Sequence, residues 1–489
     1  MRIPLIWSSL LLPPLAAYLV VTLGALPFEH AMGLAVLASA TVLWVTEAIP
    51  LPATALLVPV MTVSIGLLSA KEAFASFGNP IIYLFVGAFF LAKAMQKHSL
   101  DLRIAYRLLS SPLGGTSFLG IAATLGGISF FLSMLISNTA TTATLCPVVV
   151  GIMSILARED DDTQRTSNAT VFLLLLVAYS SSIGGIATPV GTVPNLITLG
   201  FLRELRGVEI SFTSWVQFAF PVALVMFLAS IPMFSFLVPV RGYEHAKFVK
   251  LREHLRSELN RLGETSRAEK QVAFCFVAAL VLWVLPGALT AIIPESSVTA
   301  WLSEHLPMST VALGAGIALF LIPAKPGGAP NLTWDDAKQI DWGTIMLFGG
   351  GLCLGAMLQQ TGLTKLVGET VFEAVGENQL MLITASALVA LLITELASNT
   401  ASTSILIPIL IGAIPPDAAV HNYAPVLAAC LAASYGFMLP VATPPNAIVF
   451  GTGKVPLRQM IRAGACMNVI GLIAVVGLLH FCGIAAMAL

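Results

Sequence analysis

Charge is what this sequence has least of. Only 10% of its 489 residues are Asp, Glu, Lys or Arg, against roughly 25% in soluble globular chains, and 57% are hydrophobic. With a mean hydropathy of +0.91, the chain has too little polar surface to coat a water-soluble particle of its size, so it reads as an integral membrane protein. Neither sign of charge dominates: 24 basic and 25 acidic residues leave a net charge of −1. That excludes the basic field on which nucleic-acid binding depends and offers no acidic tail to a basic partner. Cysteine is also sparse. Cys146, Cys275, Cys353, Cys430, Cys466 and Cys482 stand singly in apolar stretches, never as C-x-x-C and never beside a histidine at metal-ligand spacing. Neither a disulfide framework nor a zinc site is implied. The N-terminal apolar run from Ile3 to Leu26 exceeds the roughly 7 to 15 residues of a signal-peptide core, which predicts a retained transmembrane helix.

What is present is a series of apolar segments. Full spans of about 20 residues are expected near 4–27, 31–46, 49–68, 80–98, 213–240, 270–293, 307–323, 341–361 and 462–486. Four other apolar regions are interrupted. Residues 116–157 and 379–415 each hold a central Ser-Asn-Thr cluster, and 168–206 and 423–453 each hold a Thr-Pro break followed by Pro-Asn. Irregular backbone at membrane depth must lie inside protein or line a cavity, so these four regions are where function is expected.

The interruptions recur in order. Leu84-Phe85-Val86-Gly87 pairs with Leu347-Phe348-Gly349-Gly350, and Ser137-Asn138-Thr139-Ala140-Thr141-Thr142 with Ser398-Asn399-Thr400-Ala401-Ser402-Thr403. The stretch from Ala187 to Asn195 then pairs with Leu439 to Asn446. Three ordered matches define an internal repeat. The expected fold is an all-α polytopic membrane protein of about 11 transmembrane helices: one extra N-terminal helix (1–30), a first repeat (31–240), a linker (241–269) and a second repeat (270–489). Each repeat carries one re-entrant hairpin and one broken helix. Basic residues cluster so that the N-terminus, Lys93, Lys97, Arg103, Arg107 and the linker fall on the cytoplasmic side. The repeats are then inverted and the C-terminus lies outside. In the linker, Phe248, Leu251, Leu255, Leu259 and Leu262 alternate with Lys250, Arg252, Arg256 and Arg261. That predicts an amphipathic helix on the inner membrane surface joining the repeats, as a topological anchor or a lipid-sensing arm.

Inverted repeats with broken helices are the pattern of secondary transporters, which bind substrate and ions at the repeat interface. A hairpin tip frees backbone groups, and a Ser-Asn-Thr run adds hydroxyl and amide oxygens beside them. Neutral oxygens suit sodium as a hard cation, and half-helix N-termini suit a carboxylate. Candidate ion ligands are Ser133, Ser137 and Asn138 in the first half, and Thr394, Ser398 and Asn399 in the second. Backbone around Gly191 and Ala442 would complete the two sets. Asn195 and Asn446 fit either ligands or half-helix caps. Glu395 fits either a contributor to a cation site or a structural partner for a basic residue or backbone, Glu47 a helix boundary, and His421 a cap or surface residue. A membrane-embedded hydrolase would need a nucleophile with a base in reach, yet Glu395 is the only charged side chain in either hairpin. A channel fits paired re-entrant hairpins less well than alternating access does.

Several of these motifs together, Trp44-Val45-Thr46-Glu47-Ala48-Ile49-Pro50-Leu51-Pro52, both Ser-Asn-Thr clusters, Thr394-Glu395 and the stretch from Pro440 to Gly451, resemble the divalent anion/sodium symporter family of INDY-type carboxylate transporters over nearly the whole chain. The resemblance implies a homodimer in the cell membrane, each protomer having a scaffold and a mobile transport domain, with sodium as coupling ion, no organic cofactor and no enzymatic activity. It matches Ser133, Ser137, Asn138 and Gly191 to a first sodium site, and Thr394, Ser398, Asn399 and Ala442 to a second. It assigns substrate carboxylates to Asn138, Thr139, Asn399 and Thr400, helped by Thr192, Thr443 and Pro444. The first loop, Gly191-Thr192-Val193-Pro194, departs from many relatives, which bears on substrate preference more than on mechanism. The expected function is sodium-coupled import of succinate, malate, fumarate or citrate, with a sulfate symporter or a sodium-independent exchanger as the alternatives.

Overall fold

A computed structural model of the chain describes residues 2–114, 116–158, 162–240, 243, 245–293, 297–364, 366, 378–415 and 420–481. Among them the structure is helical, with one isolated β-bridge between Pro323 and Pro330. The first repeat comprises α2 (Phe28–Thr46), α3 (Leu51–Ile65), α4 (Ala70–Ala75), α5 (Pro80–Lys97), α6 (Leu100–Ser110), hairpin arms α7 (Phe118–Ser133) and α8 (Asn138–Arg158), half-helices α9 (Thr163–Ile186) and α10 (Val193–Arg206), and α11 (Phe212–Leu237). It follows α1 (Arg2–Thr22) and precedes the linker helix α12 (His245–Arg261). The second repeat contains α13 (Arg267–Ile292), α14 (Ser297–His305), α15 (Met308–Leu321), α16 (Trp334–Ala337) and α17 (Trp342–Gln360). Its hairpin arms are α18 (Gln379–Leu396) and α19 (Asn399–Ala413), its half-helices α20 (Ala424–Ala432) and α21 (Pro444–Gly451), and its last helix α22 (Leu457–Phe481).

Nine helices among the described residues are long and apolar enough to cross a membrane, and ten if the pair α14–α15, bent by 63°, counts as one span. That criterion admits hairpin arms, which turn back, and omits short crossings. Taking α1, α2, α3, α5, α11, α13, α17 and α22 singly, and α9–α10, α14–α15 and α20–α21 as pairs, recovers the arrangement expected from the sequence.

Equivalent residues of the two repeats meet. Phe85 and Phe348 lie ring to ring with centroids 5.5 Å apart. Gly87 and Gly350 let α5 and α17 press backbone to backbone on α15 and α3, since a Cβ would come within 2.2 Å of the Ala312 carbonyl carbon and 2.3 Å of the Ala55 carbonyl oxygen. The inversion is visible in which ends touch. At one end of the molecule, Lys97 at the close of α5 pairs with Asp336 ahead of α17 at 2.6 Å, and His98 Nε2 lies 2.9 Å from the Asn331 carbonyl oxygen. At the opposite end, Asn79 before α5 donates to Glu204 of α10 at 3.0 Å. There Arg206 donates to the Ile411 and Ile414 carbonyls at 2.8 and 2.6 Å, closing the C-terminus of α19, where a cation offsets the helix dipole. So α5 ends where its counterpart α17 begins. Asp336 is partly buried, which raises its pKa, but hydrogen bonds from Lys97 and Thr333 together with the Lys97 charge override this and bring it to about 2. A depressed carboxylate pKa stabilises above the ordinary value of 3.8 and is lost only as pH falls through about 2, so this clamp persists throughout the physiological range.

The linker helix forms as expected, and its apolar face is covered by protein. Phe248, Leu251 and Leu255 are buried where α12 packs on α6 and α8. Arg103 of α6 locks the helix end: it pairs with buried Glu269 and donates to the carbonyls of Gly263 at 2.8 Å and Leu262 at 3.0 Å. Breaking a buried pair by removing one partner costs about 3–5 kcal/mol, which suits a joint that must hold two repeats in register. Residues 365 and 367–377, the side chain of His421, and Cys482 with the C-terminal end lie outside the described residues.

Candidate functional site

The hairpin tips owe their position to how the chain turns. Ser137 and Ser398 each cap the following helix by accepting a hydrogen bond three residues on, from the Ala140 and Ala401 amides, both at 3.3 Å. This is N-cap behaviour, and it places Asn138 and Asn399 at the first helical positions with their amides facing back across the tip. There Ser133 Oγ donates to Asn138 Oδ1 at 2.6 Å, and Thr394 Oγ1 lies 2.6 Å from Asn399 Oδ1. Thr394 Oγ1 is also 2.6 Å from the Ala433 carbonyl oxygen. One hydroxyl carries one hydrogen and cannot donate to both. Two acceptor oxygens thus face the same hydroxyl, an oxygen-rich geometry that a hard cation satisfies. In the first half, a Cβ on Gly191 would meet the Gly185 and Ser133 carbonyl oxygens at 2.5 and 2.7 Å, and one on Gly185 would meet Asn138 Oδ1 at 2.2 Å. Only glycine admits that convergence of oxygens.

The breaks opposite the tips are held by two equivalent asparagines. Asn195 Nδ2 donates to the carbonyls of Gly185, Ile186 and Thr188 at 3.2, 3.2 and 2.7 Å. Asn446 Nδ2 does the same to Gly436 and Leu439 at 2.9 and 3.0 Å. Both are fully buried, and their amide nitrogens are spent on carbonyls that the interrupted helices cannot satisfy. Aromatic side chains add further donors, with Trp215 Nε1 reaching the Ile186 carbonyl at 3.1 Å and Tyr179 OH the Phe437 carbonyl at 2.8 Å.

Glu395 resolves as a backbone partner. Its Oε1 accepts from the Phe437 and Met438 amides at 3.0 Å each and from Asn468 Nδ2 at 2.6 Å. The first repeat has Met134 at the equivalent position and solves the same problem in reverse, with Thr188 Oγ1 donating to the Met134 carbonyl at 2.5 Å. Leu439 stands where Thr188 does and offers no hydroxyl, so a carboxylate bridges the gap.

Both tips and both breaks face one cavity of about 870 Å³. Ser137, Asn138, Thr139, Gly191 and Thr192 line it from the first half, and Ser398, Asn399, Thr400, Ala442, Thr443 and Pro444 from the second. Ser133 and Thr394 are fully buried and stand behind the wall, touching it through Asn138 and Asn399. Asn195 and Asn446 do not line it. Sequence reasoning missed the rest of the lining, where Phe85, Phe89 and Lys93 of α5 join Glu47, Gln339 and Asp341. Glu47 is the helix-boundary residue expected, closing α2 in a left-handed conformation (φ 48°, ψ 36°). No group of three or more metal-ligating His, Cys, Asp or Glu side chains occurs among the described residues.

Comparison with known proteins agrees with this architecture. Residues 7–487 match the family model described as the sodium:sulfate symporter transmembrane region. A sodium-dependent dicarboxylate transporter SdcS of Staphylococcus saprophyticus is 33% identical over 452 residues, covering 90% of this chain and 83% of that protein. An uncharacterized transporter of Haemophilus influenzae is 35% identical over 461 residues, covering 93% of each chain. SdcS of Staphylococcus aureus is 32% identical over 467 residues, covering 93% of this chain and 86% of that one. With two inverted repeats, paired hairpins and a family match along almost its whole length, this chain is a multi-pass membrane transporter belonging to the sodium:sulfate symporter family.

Proposed function

We propose that the protein imports di- or tricarboxylates, such as succinate, malate, fumarate or citrate, together with sodium, by elevator-type alternating access. The observation that carries this is the single cavity into which two equivalent oxygen-rich tips project, with Lys93 the only cationic side chain on its described wall. The first sodium site is assigned to Ser133, Ser137, Asn138 and Gly191, and the second to Thr394, Ser398, Asn399 and Ala442. Substrate carboxylates are assigned to Asn138, Thr139, Thr192, Asn399, Thr400, Thr443 and Pro444, where the half-helix N-termini of α10 and α21 favour anions. The dicarboxylate named for the staphylococcal relatives supports a carboxylate cargo. The sulfate in the family description keeps sulfate as the second reading.

Reconstituted protein is therefore expected to show counterflow of radiolabelled succinate or citrate and not of sulfate. Sulfate counterflow alone would overturn the carboxylate assignment. The same preparation is expected to behave as a homodimer, at twice the 51.5 kDa chain mass by light scattering.

The proposed orientation puts the linker and the Lys97–Asp336 end in the cytoplasm of a cell with an inner membrane, following the positive charge. Single cysteines at exposed Ser257 in α12 and exposed Glu209 between α10 and α11, in a background without the native cysteines, are expected to react with an impermeant maleimide from opposite sides. Reaction from the same side would refute this topology.

A further inference from the structure

We infer that Lys93 is a specificity-determining residue that binds an extra carboxylate of the substrate, making this cavity suited to tricarboxylates over dicarboxylates; the inference rests on the carboxylate reading above. Two lysines sit one helical turn apart on α5 and meet different fates. Lys97 is neutralised by Asp336 at 2.6 Å. Lys93 has no carboxylate within 4 Å among the described residues, and its Nζ donates to the neutral amide of Gln339 at 2.7 Å. Lys93 is half-buried as a residue while its hydrogen bond to Gln339 is exposed, and an ammonium with one neutral partner keeps two donors and a full charge to offer.

Its placement decides what it offers them to. Phe85, Phe89, Ala92, Lys93 and Gln96 form the stripe of α5 that lines the cavity, and the two tips line the same cavity from other helices. Each tip, with its half-helix N-terminus, provides for one carboxylate. A dicarboxylate is then fully accommodated between the tips and leaves Lys93 without an anionic partner. The cavity of about 870 Å³ lies near the upper end of small-molecule sites, with room for a larger acid. A third carboxylate projecting from such a substrate meets the wall that carries the ammonium. The acidic lining residues Glu47 and Asp341 repel that group, so Lys93 is the one charged side chain of the described lining able to receive it. Gln339 fixes where the ammonium points, because the Lys side chain is otherwise free to rotate.

The test compares two substrates in one variant. Initial rates of succinate and citrate uptake are measured in proteoliposomes for the wild type, Lys93→Gln and Lys93→Arg. Loss of a charge-assisted contact is expected to raise the KM for citrate on the order of tenfold in Lys93→Gln, to leave the KM for succinate within about twofold, and to be largely reversed in Lys93→Arg, which keeps the charge. Retained succinate transport shows that the variant is folded. Equal changes for both substrates, or none for either, would overturn the assignment of Lys93. A wild-type protein that carries neither acid would instead reject the carboxylate reading on which it rests.

Discussion

Asn138→Ala and Asn399→Ala are each expected to abolish uptake while leaving the protein folded. Each asparagine contributes an amide at a hairpin tip that faces two ways. Its Oδ1 is grouped behind the wall with Ser133 or Thr394 at 2.6 Å, and the residue itself lines the cavity. On the proposed assignment, alanine removes a cation ligand and a substrate contact together. Hydrogen bonds to charged groups contribute about 1.5–3 kcal/mol each, so losing two lowers the initial rate on the order of 100-fold or more. The fold survives because the helix starts are capped by Ser137 and Ser398 and the breaks are clamped by Asn195 and Asn446, none of which is altered. Unchanged elution of the purified variants on size exclusion, with no detectable carboxylate uptake, is the expected pair of results. Wild-type transport in either variant would contradict a site built from both tips.

The equivalence of the two tips was legible in the sequence because it depends on local chemistry. A Ser-Asn-Thr run within an apolar segment announces a helix start by its capping serine, and its recurrence at Ser137 and Ser398 announces the repeat. The starts of α10 and α21 at Pro194 and Pro444–Pro445 are legible for the same reason, since proline is favoured at the first helical positions, where its missing amide is not needed. What was not legible depends on contacts between distant segments. Lys93 lies in an otherwise ordinary span, and nothing nearby in sequence places it in the same cavity as Asn138. Glu395 left two roles open until Phe437, Met438 and Asn468, from two other helices' neighbourhoods, were seen to converge on it. Asn195 and Asn446 likewise stood between ligand and clamp, and their buried amide nitrogens hold carbonyls of their own breaks. The linker's amphipathic pattern shows an apolar face without showing whether lipid or α6 covers it.

Coupling to sodium is the central claim, and it follows from a shortage of cations. The segments 108–157, 166–202 and 418–453 contain no Asp, Glu, Lys or Arg, so neither tip nor break carries a positive side chain of its own. Moving a dianion to the midplane costs at least several kcal/mol in desolvation, and half-helix dipoles offset only about 0.3–2 kcal/mol each. Lys93, the single cationic side chain of the described lining, is left over when a dianion sits between the tips and is too little for a trianion. The remaining counter-charge has to travel with the substrate, and the two oxygen-rich tips are where cations would ride. The most direct measurement is initial-rate uptake of succinate or citrate into proteoliposomes without internal substrate, at constant pH, with external sodium replaced by choline. Uptake is expected to vanish in choline and to rise with sodium with a Hill coefficient above one, and Ser137→Ala and Ser398→Ala should each raise the sodium concentration needed. Undiminished net uptake in choline would contradict sodium coupling.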